Sequence, residues 1–385
     1  MFAKNTRKNT DGQITNVICN SAKQGLIPQR EYFDKDIANS DNTSGYYIIE
    51  ENDFVYNPRK STEAPYGPIS SYKYAEAGIV SPLYLCFRAK KEINPTFFEW
   101  YFRSSAWHRY VYMSGDSGAR HDRVSIKDDT FFAMPINIPT TPEQEQIASF
   151  LEKIDLKIEK QRALVEALKK YKRGLLRAYF ITDMWNTQSN WSKCKLGMCC
   201  SKIGSGKTPK GGSSVYTDHG VIFLRSQNVL WGTLDISDVT YIDDEINNTM
   251  LSSEVHCGDV LLNITGASIG RSCIYPFNDR ANVNQHVCIL RLSNKGKELL
   301  LPEFLLQQIL SDSIQQQVMD CQNGGSREGL NFQQIADFDI VIPDHEEQRK
   351  ICGMLSAYDR NVISQEAVLN EMLNLRASFM QQLFI

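Results

Sequence analysis

The chain has 385 residues, of which 42% are apolar and 23% charged, and its formal net charge is −3. This length allows two or more domains with apolar cores, and the composition excludes a disordered or fibrous protein. No apolar run is long enough to span a membrane, and the first residues lack a signal segment, so we expect a cytoplasmic protein. The ten cysteines form no C-x-x-C pair, so we expect reduced thiols and no metal site.

The first globular domain is predicted over residues 1–138. Strand-like runs cover 53–57 and 80–87, and 97–112 has the pattern of an aromatic-rich helix. His108 in this helix is interpreted as a packing residue rather than a catalytic one. The mixture of strand and helix patterns predicts an α/β domain.

A long helix is predicted next, over residues 139–182. Apolar residues recur from Ile147 to Tyr179 at alternating spacings of four and three, which is a heptad pattern. Pro139 precedes this helix, and Glu143 lies in its first turn, where a negative charge suits the positive end of the helix.

A linker at 183–190 is followed by a second predicted globular domain over 191–342. Its strand-like runs are 221–224, 259–263 and 287–290. Residues 204–208 end like a phosphate-binding loop, but Ser201 replaces the required glycine and Pro209 would interrupt the necessary helix. We therefore expect no nucleotide site here.

The last segment, 343–385, repeats the first helix. Pro139 and Gln144 match Pro343 and Gln348 at an offset of 204, which holds without a gap to the end of the chain. Upstream, Asp53 and Asn57 answer Asp259 and Asn263. This pattern predicts a domain duplication; the alternative is two unrelated domains with similar tails.

The two long helices are predicted to pair antiparallel. Gln161 and Gln365 would then be neighbours in a polar layer that sets the register, and about 39 paired residues would span roughly 60 Å. In the alternative, each helix covers its own domain. The predicted fold is α+β: two globular α/β domains and two long helices that form an antiparallel coiled coil, related by a pseudo-two-fold internal duplication.

Cations beside small or flexible residues are the candidate DNA contacts. Arginine and lysine favour phosphates and guanine, and asparagine favours adenine. The net charge argues against DNA unless these cations are concentrated on two local faces. The candidates are Arg59, Lys60, Arg120, Arg123, Lys207, Arg225, Asn263, Arg271 and Arg327.

No motif for catalysis accompanies these residues. The chain contains no N-P-P-[FY] or D-P-P-[FY] tetrapeptide, no G-x-G-x-x-G loop and no E-x-K pair. We therefore expect no catalytic residues and no cofactor in this chain.

The sequence resembles the specificity subunits of type I restriction-modification enzymes over nearly its whole length. The resemblance rests on Ile-Pro-x-x-x-Glu-Gln at 138–144 and 342–348, and on the segments 54–59 and 265–270. It implies that each globular domain is a target-recognition domain for one half of a split, asymmetric DNA site, and that the helices are spacer and docking surface. The implied partners are double-stranded DNA, two modification subunits that methylate adenine with S-adenosylmethionine, and restriction subunits that use ATP and Mg²⁺.

One departure concerns the first domain. The counterpart of 191–204 would fall before Met1, so about 15 residues are expected to be missing from its N-terminus. Two other functions stay open: a helical scaffold that binds no DNA, and a self-sufficient enzyme. Strong salt dependence of binding to duplex DNA would separate the first of these from a DNA reader.

Overall fold

The computed structural model describes residues 1–32, 43–115, 122–180, 191–322 and 329–384. The chain divides into two units: unit 1 is Met1–Arg162 with Ala367–Ile385, and unit 2 is Ala163–Glu366. Each unit contains one globular domain and part of each of two long helices. The predicted linker at 183–190 lies outside the described residues.

Unit 1 begins with the first globular domain. Its strands are β1 (Phe2–Lys4), β2 (Ile18–Ser21), β3 (Gly25–Pro28), β4 (Tyr47–Ile49), β5 (Phe54–Tyr56), β6 (Ile69–Ser71), β7 (Gly78–Val80) and β8 (Leu85–Ala89), and its helices are α1 (Gln29–Tyr32), α2 (Pro95–Arg103), α3 (His108–Ser114) and α4 (Asp128–Phe132). An antiparallel sheet has the strand order β1-β8-β5-β6, and β2-β3 and β4-β7 form two-stranded sheets.

The single helix predicted over 97–112 is wrong, because two helices occupy this region. Ser104 ends α2: its backbone N–H donates to the Trp100 carbonyl, and its hydroxyl donates to the Tyr101 carbonyl. The Ser104 hydroxyl oxygen also accepts from the Ala106 N–H, which turns the chain before α3. His108 then packs against Tyr66, with ring centroids 4.6 Å apart, and burial lowers its pKa. Its predicted packing role is confirmed.

The long helices are α5 (Thr141–Phe180) and α11 (His345–Leu383). Unit 2 contains the second globular domain between them. Its strands are β9 (Ser192–Lys195), β10 (Cys200–Ser205), β11 (Val221–Leu224), β12 (Thr240–Ile242), β13 (Glu254–Val255), β14 (Val260–Asn263), β15 (Ser272–Ile274), β16 (Ala281–Val283), β17 (Val287–Leu292) and β18 (Asp339–Ile342), and its helices are α6 (Asp244–Asn248), α7 (Asn294–Leu299), α8 (Pro302–Ile309), α9 (Asp312–Gln322) and α10 (Phe332–Ala336).

The sheets of unit 2 repeat those of unit 1. The order β10-β17-β14-β15 matches β1-β8-β5-β6, and a second sheet has the order β12-β11-β16-β13. β11 pairs parallel with β16, as Val17 does with Ile79 in unit 1. β1 is the edge strand of its sheet, as β10 is in the matching sheet of unit 2. Residues 200–204, which lie in β10, therefore have a counterpart in the first domain, and the expectation that they have none is wrong.

An ion pair between an arginine and a buried aspartate occurs at the same place in both domains. The Arg88 guanidinium donates to both Asp53 carboxylate oxygens at 2.5 and 2.8 Å, and that of Arg291 donates to Asp259 at 2.9 and 2.7 Å. Both carboxylates are buried inside their sheets. The predicted internal duplication is confirmed.

The Ile-Pro-x-x-x-Glu-Gln motif joins each long helix to its domain. The Gln348 amide oxygen accepts from the Leu301 N–H at 2.8 Å, and its NH2 donates to the carbonyls of Leu299 and Pro343. In unit 1, Gln144 accepts from Asn94 N–H at 3.1 Å and donates to the Pro139 carbonyl at 2.9 Å. Each buried glutamine fixes its helix to the start of α2 or α8.

The helices pair antiparallel within each unit. In unit 1, Arg376 contacts Asp155 at 2.7 Å and the ring of Phe379 packs on Phe150. In unit 2, Lys172 contacts Asp359 at 2.5 Å. The heptad seam is buried at intervals, for example at Leu151, Ile158 and Val165, and the predicted coiled coil is confirmed.

Each unit has its own apolar core. In unit 1, Phe384 of the C-terminal turn packs on Phe97 and Tyr101 of α2, with ring centroids 5.4 and 5.9 Å apart. In unit 2, Phe180 at the end of α5 packs on Phe304 of α8 at 5.4 Å. None of the helices in the described ranges combines the length and apolar character of a membrane span.

Candidate nucleic-acid interface

Several strands of the second domain bring the predicted contact residues to one end of its two sheets. Ser205, the last residue of β10, pairs with Cys288 at the start of β17, and Asn263, the last residue of β14, pairs with Val287. In the other sheet, Leu224 at the end of β11 lies opposite Val283. Lys207 and Arg225 follow the ends of β10 and β11, and Arg271 precedes the start of β15. Asn263 is itself the last residue of β14.

The loop that carries Lys207 lies directly on the end of β16. The Gly206 N–H donates to the Asn284 carbonyl at 3.2 Å. A Cβ atom at Gly206 would lie 1.7 Å from the carbonyl oxygen of Val283, so any other residue would push the loop away. Lys207 and Thr208 are exposed beyond this contact. The chain then reaches only a short 3-10 turn at Gly212–Val215, which differs from the long helix of a phosphate-binding loop.

Asn263 is buried, so its predicted contact with a DNA base does not fit its placement. Its NH2 group donates to the carbonyls of Ser226 at 2.8 Å and Val229 at 3.3 Å. These residues form the turn after Arg225, whose N–H donates to the Asn228 side-chain oxygen at 2.9 Å. Asn263 therefore acts as a positioning residue for the turn that presents Arg225.

The cations at this end lack acidic partners. Among the described residues, no carboxylate lies within 4 Å of the charged groups of Lys207, Arg225 or Arg271. The Nε atom of Arg225 is buried without a hydrogen-bond partner in the described part of the chain. At the opposite end of β16, by contrast, Arg280 contacts Asp244 at 2.7 Å and also Glu254. Positive charge is therefore uncompensated at one end of the domain, although the chain as a whole is acidic.

A chain of polar side chains, which the sequence analysis missed, lies beside these cations. The Thr208 hydroxyl donates to the Gln285 amide oxygen, and the Gln285 Nε2 lies 3.0 Å from the His286 Nε2. The other ring nitrogen of His286 lies 2.5 Å from the Thr265 hydroxyl. The available signal was the run Asn284-Gln285-His286 immediately before a buried strand.

The first domain places three predicted residues together around a groove. Arg59 pairs with Arg123 in an isolated β-bridge, and the Lys60 N–H donates to the Asp122 carbonyl at 2.9 Å. The groove has a volume of about 830 Å³, and Lys23, Arg59, Lys60 and Arg123 are the cations that line it.

Of these groove cations, Lys23 contacts Glu63 at 3.0 Å, whereas no described carboxylate pairs with the other three. The Nε atom of Arg123 is buried and has no partner among the described residues. The charge of Arg59 also reaches the Tyr84 hydroxyl, whose pKa is raised by burial and lowered in part by this arginine. A negatively charged ligand would satisfy this groove.

The two sites occupy equivalent places in the duplication. The Arg59 to Arg123 bridge of unit 1 recurs 206 residues later as the bridge from Thr265 to Gly329 in unit 2. One scaffold thus carries different side chains at the same place, which suits two domains that recognise different sequences.

The remaining predicted residues stay predictions. Arg120 and Arg327 lie outside the described residues. Gln161 lies in unit 1 and Gln365 in unit 2, so their pairing is likewise left as predicted. Among the described residues, no group of three or more His, Cys, Asp or Glu side chains could hold a metal ion.

Two copies of one α+β scaffold, each with a cationic loop cluster and a long helix, define an internally duplicated protein. A family model described as "Type I restriction modification DNA specificity domain" matches residues 3–169 and 189–374. The chain therefore belongs to the family of type I restriction-modification specificity subunits, whose members recognise DNA and are not catalytic.

A relative from Methanocaldococcus jannaschii, the type I restriction enzyme MjaVIII specificity subunit, is 24% identical over 244 residues. That match covers 60% of this chain and 56% of the relative, so the chain spans little more than half the length of the relative it matches.

Three solved structures share the fold. A chain from a structure titled for the complex assembly and conformational transition of the type I R-M system has a TM-score of 0.63 at 17% identity, covering 99% of this chain and 96% of that one. The S subunit from M. genitalium has a TM-score of 0.54 at 13% identity, covering 100% and 93%. The HsdS subunit from Thermoanaerobacter tengcongensis has a TM-score of 0.50 at 16% identity, covering 99% and 93%.

Proposed function

We propose that each globular domain reads one half of a bipartite, asymmetric DNA site. The observation that carries the proposal is the position of the uncompensated cations, which both copies carry in the loop between two equivalent strands: Arg59 and Lys60 between β5 and β6, and Arg271 between β14 and β15. Cations without acidic partners lower the free energy of a phosphate backbone placed against them, and they release its condensed counterions. The different side chains at the two loops support recognition of two different half-sites.

The long helices carry the rest of the proposed complex. Two modification subunits would dock on them and methylate adenine with S-adenosylmethionine, and restriction subunits would cleave with ATP and Mg²⁺. Exposed apolar side chains on the two helices, such as Leu156, Leu164 and Ile363, support a role in protein docking. This chain would direct the chemistry of its partners and hold no cofactor itself.

The first experiment co-expresses the chain with the modification subunit encoded beside it and sequences the methylated adenines in exposed DNA. A bipartite motif with a fixed gap is expected. Complex formation without any DNA binding would favour the helical scaffold instead.

Charge-removal variants test which residues face DNA. The slope of log K against log salt concentration should become shallower by about one for each phosphate-contacting cation removed. The double variant Lys207→Ala/Arg225→Ala should therefore reduce the slope by about two. Arg280→Ala is the matched control, because it removes one exposed arginine at the opposite end of β16, and its slope should equal that of the unaltered protein. Equal slopes in all three proteins would contradict the proposed interface.

A further inference from the structure

Gln285 is an exposed side chain that is nevertheless held at both ends of its amide. The amide oxygen accepts from the Thr208 hydroxyl, and Nε2 lies 3.0 Å from His286 Nε2. Thr208 follows the Gly206 contact with β16, and His286 is itself fixed by the Thr265 hydroxyl at 2.5 Å. Three loops therefore restrict one solvent-facing glutamine.

The backbone beneath Gln285 is fixed as well. The side-chain oxygen of Asn284 accepts from the His286 N–H at 3.0 Å, and the Asn284 N–H donates to the Leu224 carbonyl at 3.1 Å. A free glutamine loses much of its rotamer freedom when it binds a ligand, whereas a glutamine that is already ordered loses little. Such order at an exposed position favours a recognition role.

The amide still has hydrogen-bonding capacity toward solvent. A glutamine amide has two acceptor positions on oxygen and two N–H donors on nitrogen. Thr208 occupies one acceptor position and His286 occupies one N–H, so one acceptor and one donor stay available. Reversing the amide, with the other histidine tautomer, leaves the same pair. One acceptor and one donor match the N6 amino group and the N7 atom of adenine in the major groove.

We propose that Gln285 reads one adenine in the half-site of the second domain, with Thr208 and His286 as positioning residues. This inference rests on the proposed function. Lys207 and Arg225 lie at the same sheet end and would hold the neighbouring phosphates. Gln285 contacts Thr208, the neighbour of Lys207, and follows Asn284, which bonds the neighbour of Arg225. If these two cations hold phosphates, Gln285 is well placed to reach the groove edge.

The test compares the methylated motifs produced by complexes of the unaltered chain, Gln285→Ala and Gln285→Glu. Both variants should make one A·T position of the second half-site degenerate and leave the first half-site unchanged. Gln285→Glu keeps the length of the side chain but loses the donor to N7, which separates loss of recognition from loss of packing. The control is Gln333→Ala, which removes an exposed glutamine of α10 that donates to Asp337.

Base analogues then identify the contact. Replacing the adenine of that position by 7-deazaadenine removes the N7 acceptor but keeps the N6 amino group, so binding by the unaltered complex should weaken by about 2- to 13-fold, the usual value of one hydrogen bond. Gln285→Ala should show no further loss with the analogue. Thr208→Val, which keeps Gln285 but removes its hydroxyl partner, should show a smaller loss of discrimination at the same position.

The results separate this inference from the proposed function. Full discrimination at every position in both Gln285 variants, or a second half-site without an A·T pair, would overturn the assignment while leaving DNA recognition intact. Absence of DNA binding by the unaltered complex would instead overturn the proposed function.

Discussion

Asparagine and glutamine can both read adenine, but the structure gives Asn263 and Gln285 different surroundings. Asn263, the last residue of a buried strand, was predicted to contact a base, but its buried side chain donates to two backbone carbonyls. The only sequence signal for Gln285 was the polar run at 284–286 before a buried strand. That run does not show that Thr208, 77 residues away along the chain, holds the glutamine amide. Sequence spacing cannot show which way a side chain at a strand end faces; that depends on which loops cross above it.

Replacement of Asn263 tests its positioning role. Asn263→Ala would leave the Val229 carbonyl without a donor, and the Ser226 carbonyl would keep only the Val229 N–H. We therefore expect the free energy of unfolding to fall by about 1–3 kcal/mol, as for other buried polar groups that lose a partner. Asn263→Asp should cost more, because its carboxylate would face two carbonyl oxygens. Chemical denaturation measures both, with exposed Asn294→Ala as control. Unchanged stability with weaker DNA binding would restore the direct contact that the sequence predicted.

At the scale of helices and strands, the spacing of apolar residues predicted the structure best where it was periodic. The heptads at 147–179 and their repeat predicted both long helices to within two residues of the described ends. The prediction worked because the heptad positions are the ones that pack: Leu151 and Leu355, for example, are buried. The pattern failed at 97–112, where apolar periodicity continues through a break. That break is set by the hydrogen bonds of Ser104, which periodicity does not report.

The glutamine of each Ile-Pro-x-x-x-Glu-Gln motif should contribute unequally to stability. Gln348 makes three hydrogen bonds and Gln144 makes two. We expect Gln348→Ala to lower the free energy of unfolding by about 1–3 kcal/mol, because it leaves the buried Pro343 carbonyl and two partly buried groups unpaired. Gln144→Ala should cost less, about 0.5–2 kcal/mol, because its two backbone partners are only partly buried. Denaturant titration of both variants, with exposed Arg349→Ala as control, measures the difference. Two unaffected variants would mean that the motif does not stabilise the helix starts.

For the whole molecule, comparing the two halves of the sequence predicted the positions of equivalent loops, which neither half shows by itself. The offset of 204 to 206 residues located equivalent loops before any contact was known, and the bridges at Arg59 and Thr265 lie at these positions. The offset could not predict what each loop binds, because the equivalent side chains differ. Recognition depends on loop side chains, whereas the repeated ion pairs of Asp53 and Asp259 only maintain the shared sheet.

A change in helix length tests whether the long helices set the gap between the half-sites. α5 continues without interruption through Ala163, so four residues inserted after this position would add about one turn, or roughly 6 Å. If the helices are the spacer, the methylated motif should keep both half-sites and gain one or two base pairs between them. Sequencing of methylated adenines measures the gap directly.

A matched control for this insertion places the same four residues in the exposed loop after Asn278, which precedes β16 and lies at the end of that strand opposite the candidate DNA contacts. It should leave the gap unchanged. An unaltered gap in the helix variant, together with normal methylation, would mean that the separation of the half-sites is set by the partner subunits. A longer gap with unchanged half-sites would mean that the helices set the distance between the half-sites. Recognition of the base sequence would then belong to the globular domains, because only the helix was altered.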